Sequence, residues 1–177
     1  PNESARARVR REWGIDDSTF FVLYAGKLDE SKGGEFLANA LKDKFATKEG
    51  RKIEFMVIGN CDGHYGANVE ETFAASRNKI IRLPTQRYYD LAAFYQAADL
   101  SVFAKQCSMS FFEAQSCGLP VLFEDNEING QRSSNGGAFL FSPGDVSDFR
   151  GKMIEICGLA PSELAVIRAK ARESVIR

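Results

Sequence analysis

Histidine occurs once in the 177 residues, at His64, and tryptophan once, at Trp13. A Ser-His-Asp triad would therefore have to be built around His64, and a multi-histidine metal site is excluded. Cys61, Cys107, Cys117 and Cys157 are scattered, with no C-x-x-C and no paired spacing. They read as the reduced thiols of a cytoplasmic protein, neither a disulfide frame nor a zinc site. An excess of either charge is also missing: 23 Lys and Arg face 24 Asp and Glu, for a net charge of −1. That argues against a nucleic-acid groove. Arg6, Arg8, Arg10 and Arg11 make a short basic run, which on a helix is expected to be a solvated face. No apolar run has the length of a membrane span, and no signal peptide is visible. The chain opens at Pro1 without a methionine and reads as a piece of something longer.

What is present is alternation. FFVLYAG (20–26), IEFMVIG (53–59), KIIRL (79–83), DLSVFA (99–104), LPVLF (119–123) and GAFLF (137–141) read as six strands. Helical patterns lie between them: 34–46, a weaker one near 67–76 after a loop holding Cys61 to His64, and Tyr88–Leu91–Ala92–Tyr95 with an inner face. Two more helices follow strand six, the last opening with Pro161. Strands rich in Val, Ile, Leu and Phe without polar alternation are buried on both faces. Their alternation with helices implies an α/β fold, a doubly wound Rossmann-like parallel sheet of about six strands with helices on both faces. The chain is long enough for one domain over 1–177, with 1–18 as a linker or first helix. The polar, glycine-rich stretch 124–137 is the expected mobile segment.

In an open parallel sheet, ligands bind at the carboxyl ends of the strands. Three stretches fall there. In GKLDESKGG (26–34), Gly26 permits a turn, and Lys27 and Lys32 place two cations beside a helix start. Neither a dinucleotide glycine fingerprint nor a Walker motif is present, so the pair is either a phosphate clamp or two solvated lysines. RLP (82–84) ends strand three at a proline, where free backbone groups read a base edge or merely turn. In AKQCSMSFFEA (104–114) the amides of Ser108, Met109 and Ser110 face an incoming anion at the helix start. Ser110 and Glu113 have the spacing of a capping box, while Gly118 and Pro120 end the helix.

YAGKLDESKGGEFLANAL, VIGN, LAAFYQAADLSVFA, FFEAQSCGLPV and NGGAFLFSPGD, in this order over about residues 6–175, resemble the C-terminal domain of the family 4 retaining glycosyltransferases of the GT-B architecture. The resemblance implies the half that holds a nucleoside-diphosphate-sugar donor. It would transfer the sugar to a glycan, lipid-linked or protein acceptor with retained configuration, without a metal or other cofactor. The acceptor-binding N-terminal domain, and the last helix that returns to it, would lie outside this chain. Cytoplasmic location is implied, with any membrane contact made through that missing domain.

Position by position, the resemblance places the diphosphate on Lys27 and Lys32 as the catalytic pair beside Gly26. It places the base on backbone atoms of Arg82 and Leu83, phosphate amides on Ser108 and Met109 ahead of Ser110, and the ribose on Glu113. Lys105 stands where the family carries a carboxylate against the donor sugar. Lys105 suits a donor sugar bearing its own carboxylate, joins the phosphate contacts, turns outward, or marks a degenerate copy that binds a nucleotide or partner without transfer.

Overall fold

The computed structural model describes residues 3–105 and 109–175, apart from the side chain of Glu49. Helix α1 (Glu3–Glu12) precedes an alternating series: β1 (Phe20–Ala25), α2 (Gly34–Ala40), β2 (Ile53–Ile58), α3 (Gly63–Ala74), β3 (Ile80–Leu83), α4 (Tyr88–Ala97), β4 (Leu100–Phe103), α5 (Ser110–Ser116), β5 (Val121–Glu124), α6 (Glu127–Ser133), β6 (Ala138–Phe141), α7 (Val146–Cys157) and α8 (Pro161–Glu173). The six strands form one sheet in the order β3-β2-β1-β4-β5-β6, and every pairing is parallel. This is the expected doubly wound architecture.

β1 and β2 are buried along their whole length, which is why their sequences lack polar alternation. Alternate residues feed two cores. Phe20, Val22 and Tyr24 pack with Leu37 of α2, Val69 of α3 and Phe149 of α7. Phe21, Leu23 and Ala25 pack on the other side with Val9 of α1, Tyr95 of α4 and Phe111 of α5.

Helix α2 ends at Ala40, six residues before the expected 46. Its last carbonyls are taken from outside. Arg150 of α7 donates to the carbonyls of Ala40, Asp43 and Lys44, and Asn78 donates to those of Leu41 and Asp43. Phe45 still reaches the core, where it stacks against Phe55. Helix α3 starts earlier than expected, so Gly63 (φ 68°) and His64 lie in its first turn and not in a loop. Only Tyr95 and Ala97 of α4 are fully buried; Tyr88 stays 64% exposed. The stretch 124–137 is not a bare loop. Asn126 caps α6 by accepting from the amide of Asn129, whose own buried side chain donates to the Glu124 carbonyl.

The basic run is a solvated face only in part: Arg8 and Arg11 are exposed as expected, but Arg6 and Arg10 turn inward. Arg10 is 2% exposed and donates to the carbonyls of Asp16, Thr19 and Ala97. Its guanidinium also lies 3.4 Å from the carboxylate of Asp99, which Arg6 meets at 2.8 Å and Arg168 of α8 at 2.9 Å. The amide of Phe21 completes the set, 2.9 Å from the same carboxylate. One buried aspartate thus joins α1, β1, α8 and the start of β4. Desolvation lowers the pKa of Arg10 and Arg168, against the pull of Asp99.

Candidate functional site

The strand order reverses between β1 and β4, so their carboxyl ends open a crevice there. The chain leaving β1 is tightly fixed. The hydroxyl of Tyr24 donates to the carbonyl of Lys27 at 2.5 Å, and burial pushes the Tyr24 pKa upward, which keeps it a donor. Asp29 then caps a short 3-10 turn (Glu30–Lys32), its carboxylate accepting from the Lys32 amide at 3.0 Å and from the Ser31 hydroxyl at 2.7 Å. The Ser31 hydroxyl is the largest influence holding the Asp29 carboxyl below its usual range; the Lys32 amide and the charges of Lys27 and Lys32 add to it against a desolvation cost. Among the described side chains neither lysine ammonium lies in an ion pair. Two cations are thus carried on a fixed turn, with the Asp29 carboxylate within reach of their charge but in no direct ion pair among the described side chains.

The loop after β4 meets this turn. A Cβ added to Gly33 (φ 76°) would lie 3.1 Å from the Cβ of Lys105 and 3.2 Å from that of Ala104. Lys105, exposed, thus stands against the residue that follows Lys32. Gly59 makes the second close approach: at φ 146° a Cβ there would sit 1.7 Å from the carbonyl oxygen of Gly26. The Gly59 amide donates to the Leu83 carbonyl at 3.0 Å, and the Gly26 amide to the Ile58 carbonyl at 3.0 Å. The ends of β1, β2 and β3 are laced into one rim. Asn60 extends it, its carbonyl accepting from the Leu28 amide and its side chain from the Thr85 amide.

Arg82 lies on this rim, but its side chain is engaged elsewhere. It pairs with Glu70 at 2.6 Å, donates to the carbonyls of Val57 and Gly59, and lies over the Phe73 ring at 5.3 Å. That pairing pulls the Glu70 carboxyl below its ordinary range. Cys61 donates to Glu70 at 3.1 Å, and burial followed by this carboxylate raises its thiol to about 11. A thiol so protonated is no nucleophile near neutral pH.

On the far side of the crevice, Phe111 anchors α5, buried against Phe123 at 5.5 Å between ring centroids. Helix α5 begins at Ser110 with Met109 as its N-cap, so Ser110 and Glu113 do not form the expected capping box. The Ser110 hydroxyl instead hydrogen-bonds Tyr95, and the Tyr95 hydroxyl donates to Glu113 at 3.4 Å. Burial raises the Tyr95 pKa, so this donor is permanent. Glu113 is half-buried and borders a cleft of about 150 Å³ with Tyr88, Tyr89, Ala92 and Tyr95. Met109 is 70% exposed. Ser108 and Cys107 lie outside the described residues.

The structure therefore brings Gly26, Lys27, Lys32 and Lys105 to one side of the crevice and keeps the Arg82 side chain at Glu70, while Glu113 borders a separate cleft between α4 and α5. Tyr24, Gly33, Gly59 and Asn60 support this arrangement and were not singled out by the sequence, while Tyr95 was expected only as part of a helix's inner face. A glycine directly after a buried strand, as in VIGN, was the available signal for Gly59. No group of three or more His, Cys, Asp or Glu side chains among the described residues is placed to hold a metal ion.

A parallel α/β domain with a rigid, lysine-bearing turn at its switch point has the build of a Rossmann-like ligand-binding unit. The chain belongs to the glycosyl transferases group 1 family, whose model matches residues 19–158. It is 26% identical over 177 residues to a D-inositol 3-phosphate glycosyltransferase of Rhodococcus erythropolis, matching 96% of this chain and 39% of that protein. A protein of the same name from Segniliparus rotundus is 32% identical over 126 residues, or 66% of this chain and 27% of the relative. Among solved structures, Anabaena HepE in complex with UDP and glucose superposes with a TM-score of 0.80 at 19% identity, over 98% of this chain and 47% of HepE. WaaG, a glycosyltransferase of lipopolysaccharide biosynthesis, gives 0.77 at 18% identity, over 99% and 47%. The structural likenesses establish the Rossmann-like α/β fold of this chain, matching GT-B glycosyltransferase structures. The chain spans less than half the length of these relatives. No described helix is long and apolar enough to cross a membrane.

Proposed function

We propose that this chain is the donor-binding, C-terminal domain of a family 4 glycosyltransferase. The whole protein would move a sugar from a nucleoside-diphosphate sugar to a glycan, lipid-linked or protein acceptor, with retention and without a metal. The observation that carries the reading is the junction of the two crevice loops, where Lys32 and Gly33 abut Lys105. Negative charge develops on the diphosphate as the sugar leaves, and cations already fixed there stabilise it without reorganisation. Lys27 and Lys32 supply that charge, and Lys105 is placed to join the phosphate contacts. Glu113 takes the ribose hydroxyls, with its carboxylate held by Tyr95. The base lies toward the rim of Leu83 and Asn60. That HepE, on the same fold, was solved with UDP and glucose supports a nucleotide-sugar ligand.

Lys105 also favours a second reading. With no carboxylate at that position, the domain would bind the nucleotide without transferring its sugar. Turnover by the full-length protein, measured against donor hydrolysis, separates the two readings.

The clamp is tested by calorimetry of UDP, GDP and the bare nucleosides. Lys32→Ala is expected to weaken the preferred diphosphate about tenfold, equivalent to about 1.4 kcal/mol, and to leave the nucleoside nearly unchanged. Added salt reproduces part of the loss, because these contacts are exposed and screened. Equal weakening of diphosphate and nucleoside would remove Lys32 from the phosphate site.

A further inference from the structure

A cavity of about 510 Å³ lies away from the crevice. It lies at the opposite edge of the sheet, where β2 and β3 begin. Lys44, Arg51, Lys52, Arg77 and Lys79 line it, with Glu54 as the one carboxylate among the described side chains. The described lining side chains carry five positive charges and one negative, in a chain whose net charge is −1. Such a concentration raises the local potential and is self-repelling without a counterion.

The cations fall into two groups. Arg51 and Lys79 are fixed: Arg51 donates to the carbonyls of Ser18 and Cys157 and lies over Phe20 at 5.1 Å, while Lys79 donates to the Gly14 carbonyl and pairs with Glu54 at 2.8 Å. Lys44, Lys52 and Arg77 have no ion-pair partner among the described side chains. The nearby Asp43 faces Arg150. The frame is rigid, because the Asn78 side chain accepts from the Phe45 amide and donates to two carbonyls of the same loop.

We propose that this cavity is a second anion site, which takes a small molecule or headgroup carrying two or more phosphates. Its volume matches an ordinary small-ligand pocket. The three unpaired cations at its rim supply the charge, and the two anchored ones fix its depth. The proposal stands apart from the donor reading, since the two sites lie at opposite ends of the strands.

Inorganic tripolyphosphate is the probe, and a Lys27→Ala/Lys32→Ala background removes the crevice as an alternative site. In that background tripolyphosphate at a hundredfold excess over Kd is expected to raise Tm by roughly 5–10 °C. Adding Lys52→Ala/Arg77→Ala, both exposed positions, should abolish the shift. Co-sedimentation with vesicles containing cardiolipin, whose headgroup carries two phosphates, separates the sources. Binding to vesicles that tripolyphosphate displaces and the double substitution removes identifies a headgroup. A tripolyphosphate shift without vesicle binding identifies a soluble phosphate compound. The idea is overturned if no shift occurs, if sodium chloride at matched ionic strength reproduces it, or if the Lys52→Ala/Arg77→Ala protein keeps it.

Discussion

Replacing Glu113 by glutamine is expected to raise the Kd of a nucleoside diphosphate by about ten- to hundredfold, because a hydrogen bond to a charged group contributes roughly 1.5–3 kcal/mol. The fold should hardly respond. Glu113 does not cap α5, whose N-cap is Met109, and glutamine still accepts from the Tyr95 hydroxyl. The wild type should also discriminate against a deoxyribose nucleotide, since the half-buried carboxylate then lacks a partner. Glu113→Gln should lose most of that discrimination. Calorimetry of both proteins with both nucleotides closes a double cycle. A coupling energy near zero would reduce Glu113 to an acceptor for Tyr95. In that case Tyr95→Phe and Glu113→Gln would affect every ligand alike.

Asp99→Ala has the largest expected effect on stability. It strands three guanidinium groups, of which that of Arg10 is 2% exposed, around a site that held their counter-charge. Removing one member of a buried pair costs about 3–5 kcal/mol. It also leaves the buried Phe21 amide without its acceptor. Urea unfolding followed by circular dichroism measures the loss, and a drop below about 1 kcal/mol would show the cluster to be solvated in practice. Asp99→Ala/Arg10→Met should lose less than the sum of the single changes, because the second substitution removes part of the stranded charge.

The Asp99 node was illegible in the sequence for a physical reason. A run of four arginines on a short helix has the composition of a wet surface, and the carboxylate that turns two of them inward lies 89 and 93 residues away. The end of α2 was hidden in the same manner, since Arg150 reaches the Ala40 carbonyl across 110 residues. Propensity along 34–46 favours helix, but a tertiary donor stops it. The strands, by contrast, could be read directly: burial of β1, β2, β4 and β5 leaves a local mark of continuous apolar residues, and the partly buried edge strands β3 and β6 keep short apolar runs. Lys27, Lys32 and Glu113 were legible as loop and helix-start residues after strands one and four. What brings those loops together, the fit of Gly33 against Ala104 and Lys105, is a property of backbone approach and leaves no local periodicity. Helix α6 was missed because its glycine and serine content outweighed the cap signal of Asn126.

The Asp99 node also sets a schedule for synthesis. Arg6 emerges 93 residues before the carboxylate it binds, and Arg168 follows that carboxylate by 69. At about 5–20 residues per second, α1 waits roughly 5–20 seconds for its anchor, and the third arginine comes several seconds later. Throughout that interval Val9 has only the β1 and β2 part of its core to pack on, Phe21, Leu23 and Met56, without Tyr95, Phe103 and Phe111.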